Sequence, residues 1–149
     1  MIAHNIIKGN SHIDERGKLN FFNDFNLKEV VRMYEISPSS ITNVRGWQGH
    51  SKEHKWFYCS AGSFTVYLAP LPYFYNDSEK EHHVKEFNLS SNSPSVLHIT
   101  GGYATAFKAK EENSTLLVFS NFSVEESVAD DFRFSLNEWP INNNLKTLP

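Results

Sequence analysis

Apolar and polar residues alternate along this chain in short runs that stop at turn-forming residues, and sustained helical periodicity is scarce. The clearest run, Ser63-Phe64-Thr65-Val66-Tyr67-Leu68, sets Phe64, Val66 and Leu68 on one face of a strand and Thr65 and Tyr67 on the other. Trp56–Cys59 reads as the strand before it. Ser60-Ala61-Gly62-Ser63 reads as a hairpin connection in which Gly62 can take a positive φ. A second hairpin is expected from Tyr103–Phe107 through a Lys110–Asn113 turn into Thr115–Phe119. Further strands are expected at Leu19–Phe22, Val30–Ile36, Val44–Trp47, Val84–Leu89 and Val96–Thr100. Pro70–His83, with two prolines, an Asn-Asp-Ser turn and the pair His82-His83, is expected to be a solvated excursion. Glu125–Ala129 is expected to form one helical turn, and the polar end Asn142–Pro149 to fray. Short strands at regular spacing with polar turns predict an all-β sandwich or barrel.

Length and composition narrow this picture. With 149 residues and no internal repeat, one domain over 1–149 is expected, with a core of about 12–124 and a tail of 125–149. Aromatic residues make up 14% of the chain, which suits strands and the walls of concave sites. A net charge of −3 gives no broad basic surface for nucleic acid. The single cysteine, Cys59, has no internal disulfide partner, and its apolar neighbours suggest a buried, inert thiol. No apolar run approaches the roughly 20 residues of a membrane-spanning helix, and no charged-then-apolar leader opens the chain. A cytoplasmic location without membrane association is therefore the expectation. Phosphate-cradling glycine loops, a dinucleotide fingerprint and a nucleophile elbow are absent from the sequence.

Chemistry-bearing residues cluster between positions 45 and 55, where Arg45, Gln48, His50 and Lys55 fall within eleven residues. Strand alternation sets Gln48 and His50 on one side and Trp47 and Gly49 on the other.

Four ordered segments carry a family resemblance: Asp14-Glu15-Arg16-Gly17, Val44–His50, Lys55–Tyr58 running into Ala61–Val66, and Ile99–Phe107. Glu125-Glu126 followed by Trp139-Pro140 adds a looser fifth. Together they resemble the dTDP-4-dehydrorhamnose 3,5-epimerase family and the related dTDP-sugar 3,4-ketoisomerases. The resemblance implies a cupin-type jelly-roll barrel and a homodimer. It implies a nucleotide-linked sugar, a dTDP-hexose, bound in the barrel mouth without a cofactor. It places Arg16 and Arg45 on the diphosphate, where the planar guanidinium fork suits phosphate oxygens.

The position of the epimerase base, third after the motif arginine, is Gln48 here, and an amide takes no proton at neutral pH. The ketoisomerases carry histidine at the third and fifth positions, and here the fifth remains as His50. Thr105 replaces a later family histidine, and the Thr115–Phe119 strand lacks the epimerase's acid tyrosine. These enzymes remove a proton next to a ketone and return it elsewhere, which takes a base and a donor for the enolate oxygen. The resemblance therefore implies an isomerase or epimerase with His50 as base and Lys55 or Tyr58 as donor. Trp47, Gln48, Tyr103 and Thr105 then contact the substrate. The alternative is a cupin that binds a nucleotide-sugar or another carbohydrate without converting it. A metal-dependent cupin is half present as His50, Glu53 and His54, but with Thr105 in place of the later histidine the barrel is read as metal-free.

Overall fold

The computed structural model describes residues 3–72 and 84–141. Most of the expected excursion, including His82-His83, and the whole 142–149 end lie outside the described residues. In chain order the elements are β1 (His4–Lys8), β2 (Asn10–Asp14), β3 (Gly17–Phe21), β4 (Arg32–Ile36), β5 (Arg45–His50) and β6 (Lys55–Ala61). They continue as β7 (Ser63–Pro70), β8 (Lys85–Ser90), β9 (Ser95–Ile99), β10 (Tyr103–Ala109), β11 (Thr115–Ser120), α1 (Val124–Val128) and β12 (Phe132–Arg133). Two five-stranded sheets face each other, ordered β1-β9-β6-β11-β4 and β12-β5-β10-β7-β8, while β2 and β3 form a separate ribbon. All pairings are antiparallel. This is the all-β jelly roll of the cupins.

Both expected hairpins are corrected by this topology. β6 pairs with β11 and β9, whereas β7 pairs with β10 and β8. The Ser60–Ser63 segment is therefore a corner that carries the chain from one sheet to the other. Gly62 makes that corner with φ 72°, and a Cβ there would collide with the Ser114 side chain. The Lys110–Asn113 turn likewise crosses between sheets, since β10 and β11 do not pair. Alternation reports which face a residue uses, but not which strand lies beside it. Three strands had no period-two signal of their own: β1, which is aligned by β9, β2, which is paired to β3, and the two-residue β12 on β5.

Phe64, Val66 and Leu68 of β7 point between the sheets, as their spacing predicts, and join Phe57, Leu97, Leu116 and Val118 in the inner core. A second core covers the outer face of the β5-β10-β7 sheet, where Trp47, Tyr67, Ala69, Ala104 and Ala106 lie under Trp139 and Ile141. This strap explains why β7 and β10 are apolar on both faces. The helical turn at 124–128 buries none of its residues. It is fixed at its start by a capping box, in which Glu126 N donates to Ser123 Oγ at 3.2 Å and Ser123 N donates to Glu126 Oε1 at 3.0 Å. A further anchor is Ser127 Oγ, which donates to the buried Glu53 carboxylate at 2.7 Å.

Candidate active site

A cavity of about 840 Å³ opens beside β4, lined by residues of β4, β5, β6 and β10, by the connection after β4 and by Val124, Ser127 and Arg133. Strict alternation would put Arg45 and Gln48 on opposite faces of β5, because they are three residues apart. A β-bulge changes that. Thr105 stands opposite Gln48 and Ala106 opposite Gly46, which leaves Trp47 as the extra residue. Gly46 permits the kink: its φ is 147°, and a Cβ would lie 2.7 Å from Ala106 Cα and 2.8 Å from the Thr105 carbonyl oxygen. Arg45, Gln48 and His50 consequently share the inner face, opposite Phe107, Thr105 and Tyr103.

His50 is only 5% exposed. Its Nδ1 lies 2.7 Å from the Asp130 carbonyl oxygen, and a carbonyl only accepts, so Nδ1 carries the hydrogen and donates it. The neutral ring then holds its lone pair on Nε2, which is buried and has no partner among the described residues. Burial, followed by the nearby Lys55 charge, lowers the His50 pKa below its ordinary value, while Glu53 and Asp130 act in the opposite direction. The arrangement favours a neutral imidazole with a free, desolvated nitrogen.

Lys55 is buried in the cavity wall, where its Nζ donates to Tyr34 Oη at 3.1 Å. Arg45 is exposed and has no hydrogen-bond or ion-pair partner among the described residues. The lining also holds Arg32, paired with Glu53, Arg133, paired with Asp131, and one carboxylate residue, Glu35, so Arg45 and Lys55 are the cations left for an anionic ligand. Gln48 Nε2 donates to Asp131 Oδ1 at 3.1 Å. The turn after β5 is fixed by the Asp130 carboxylate, which accepts from the backbone N–H groups of Ser51, Lys52 and Glu53, each at 2.9 Å.

Of the residues singled out from sequence, Arg45, Gln48, Lys55 and Thr105 line the cavity, and His50 sits on the same inner face, further along β5. Four others lie elsewhere. Trp47 faces outward, as its alternation with Gln48 and His50 requires, and packs edge-on against Trp139, with centroids 5.1 Å apart. Tyr58 follows the cavity-lining Phe57 along β6, so it faces outward, and it meets Phe22 edge-on at 5.0 Å. Tyr103 points inward but away from the cavity, with its hydroxyl 3.0 Å from His4 Nδ1. Arg16 is on the β2–β3 ribbon and pairs with Asp14 at 2.6 Å. The half metal site is divided, because His54 turns to the outer face and lies 3.2 Å from His98 Nε2. Among the described residues, no group of three or more metal-ligating side chains is gathered. Sequence reasoning missed Tyr34, Arg32, Arg133 and Asp130, which reach the site from β4 and from beyond α1. The one local signal near them is the Ser123-x-x-Glu126 cap that starts α1.

A jelly-roll barrel of this topology, with a polar cavity lined from both sheets, is a cupin. The chain belongs to the FdtA family (WxcM-like, C-terminal), whose model matches residues 3–136. No curated protein matches the sequence. Among solved structures, it is similar to a mutant of the 3,4-ketoisomerase QdtA from Thermoanaerobacterium thermosaccharolyticum in complex with TDP-4-keto-6-deoxyglucose. That match has 21% identity over 88% of this chain and 87% of the other, with a TM-score of 0.68. The TDP-quinovose 3,4-ketoisomerase WlaRB from Campylobacter jejuni matches at 22% identity over 88% and 92%, with a TM-score of 0.65. The 3'-monoepimerase ChmJ from Streptomyces bikiniensis, in complex with dTDP-quinovose, matches at 14% over 89% and 70%, with a TM-score of 0.73.

Proposed function

We propose that the protein is an isomerase or epimerase of a dTDP-linked 4-keto-6-deoxyhexose, with His50 as the base. The observation that carries this reading is the orphaned His50 Nε2, buried on the inner face that also holds Arg45 and Gln48. The carbon next to the ketone gives its proton to Nε2, and the electron pair moves onto the carbonyl oxygen as an enolate. Lys55, backed by the Tyr34 hydroxyl, supplies positive charge for that oxygen. In an epimerase the proton returns to the same carbon from its opposite face; in a ketoisomerase the hydroxyl proton of that carbon passes to the enolate oxygen while the former carbonyl carbon takes a proton, so neither route consumes an oxidant or reductant. Arg45 has its guanidinium free for the diphosphate. The solved neighbours that carry TDP or TDP-sugars support this ligand class.

A second reading is a binder without turnover. It is favoured by Gln48, whose amide is engaged with Asp131 where the related enzymes carry a base. Exchange of solvent deuterium into TDP-4-keto-6-deoxyglucose separates the two. The wild type is expected to incorporate deuterium, and His50→Asn is expected to lose incorporation while keeping TDP affinity. Full exchange in His50→Asn removes the base assignment, and no exchange by the wild type favours the binder.

The protein is further proposed to act as a homodimer. Val31 and Met33, beside or on the edge strand β4, and Ile13 and Leu19 on the ribbon are 58–70% exposed, which suits a surface covered by a second copy.

A further inference from the structure

Glu53 has no part in the proton transfer as proposed, yet its buried carboxylate is held by three donors. Its side chain is fully enclosed. Arg32 Nη2 donates to Oε2 at 3.1 Å, Ser120 Oγ to Oε2 at 2.6 Å, and Ser127 Oγ to Oε1 at 2.7 Å. These donors come from β4, β11 and α1, three elements with no other common purpose. The oxygen held by Ser127 lies 3.4 Å from His50 Nδ1, on the ring edge opposite the free Nε2.

We propose that Glu53 is a positioning residue for the base: its clamped carboxylate faces the Nδ1 side of His50 and stabilises the imidazolium that forms when Nε2 takes the substrate proton. This rests on the functional reading above. When His50 gains a proton, its new charge faces the Lys55 ammonium on β6, which opposes it. Asp130 and Asp131 beyond α1 favour it but are committed to the 51–53 turn and to Gln48 and Arg133. Tyr103 on β10 is neutral and engaged with His4, and Arg32 reaches His50 only through Glu53. Glu53 is therefore the carboxylate positioned to offset Lys55 during turnover. The clamp matters because a carboxylate free to swing would spend that energy on reorganisation.

The test is the titration of the His50 ring by nitrogen-resolved NMR in the wild type, Glu53→Gln and Glu53→Asp, beside the pH profile of kcat with TDP-4-keto-6-deoxyglucose. Glu53→Gln is expected to lower the His50 midpoint by about one unit or more, the usual effect of losing an opposite charge at this range. It is also expected to cut kcat about tenfold while moving the acid limb to lower pH and leaving KM within about twofold. Glu53→Asp, which keeps the charge further from the ring, is expected to fall between the two and keeps the test open should the amide variant not fold. A His50 midpoint unchanged in a folded variant overturns the proposal, as does a loss of kcat with the wild-type pH profile. The two readings fail separately: wild-type turnover in His50→Asn removes the base, whereas an unmoved titration removes the coupling.

Discussion

Asp130→Asn tests how the turn after β5 is held. The wild-type carboxylate accepts four hydrogen bonds, from the backbone N–H groups of Ser51, Lys52 and Glu53 and from Ser51 Oγ. Asparagine offers one oxygen and one NH₂, and an NH₂ cannot accept. With the NH₂ in the Oδ2 place, the Lys52 and Glu53 N–H groups face a donor; with it in the Oδ1 place only the Ser51 N–H does, because the Ser51 hydroxyl can turn and accept. A hydrogen bond to a charged acceptor contributes about 1.5–3 kcal/mol. Two lost bonds set an upper range of about 3–6 kcal/mol; the orientation that lets the Ser51 hydroxyl accept loses one bond and weakens the rest by removing the charge, so a cost of about 3 kcal/mol is expected.

For a chain of this length that corresponds to a fall in Tm of about 6–12 °C. Burial raises the Asp130 pKa, but the hydrogen bonds from Ser51, Glu53 and Lys52 together overcome it and hold the group below its ordinary value. The stabilisation is therefore complete above the unfolded carboxylate value of about 3.9 and is lost as pH falls through the lower folded value. Thermal melts of wild type and variant should differ constantly between about pH 5 and 7 and draw together as pH falls below the unfolded carboxylate value of about 3.9. A variant that melts within about 2 °C of wild type at pH 7 refutes the claim that this carboxylate fixes the turn.

Trp139→Ala removes the centre of the outer core, which meets Trp47 and Phe134 edge-on at 5.1 and 4.9 Å. A cost of about 3–5 kcal/mol, or a Tm lower by about 10 °C, is expected in calorimetry. His4, His50 and His98 all have pKa values lowered chiefly by burial. The unfolded chain thus binds protons more readily, and the urea midpoint should fall as pH drops through about 6.5. Arg45→Ala should weaken TDP binding in calorimetric titration by about 10- to 100-fold. The same variant should leave Tm nearly unchanged, because Arg45 has no partner to lose.

The amino-acid pattern was enough to place most strands and the faces of β7, because alternation is a local property that burial on one side enforces. Residues 45–55 also stood out as a charged and polar cluster among apolar strands, and the structure sets Arg45, Gln48 and Lys55 of that cluster in one cavity wall. Strand partners were not legible, and both expected hairpins proved to be corners between sheets, because pairing depends on segments tens of residues away. The fate of the aromatic candidates was equally hidden: Trp47 and Tyr58 face outward, and only the strap carrying Trp139 and the Phe22 ring decide what they touch. The bulge at Gly46-Trp47 is the sharpest case, since one extra residue on β5 moves Arg45 onto the face of Gln48 and His50. Asp130, Arg32 and Tyr34 carry no local signature, and Glu53 stood out only as part of a half metal motif. Their roles arise from distances of about 3 Å between remote segments, which close only when the two sheets pack against each other.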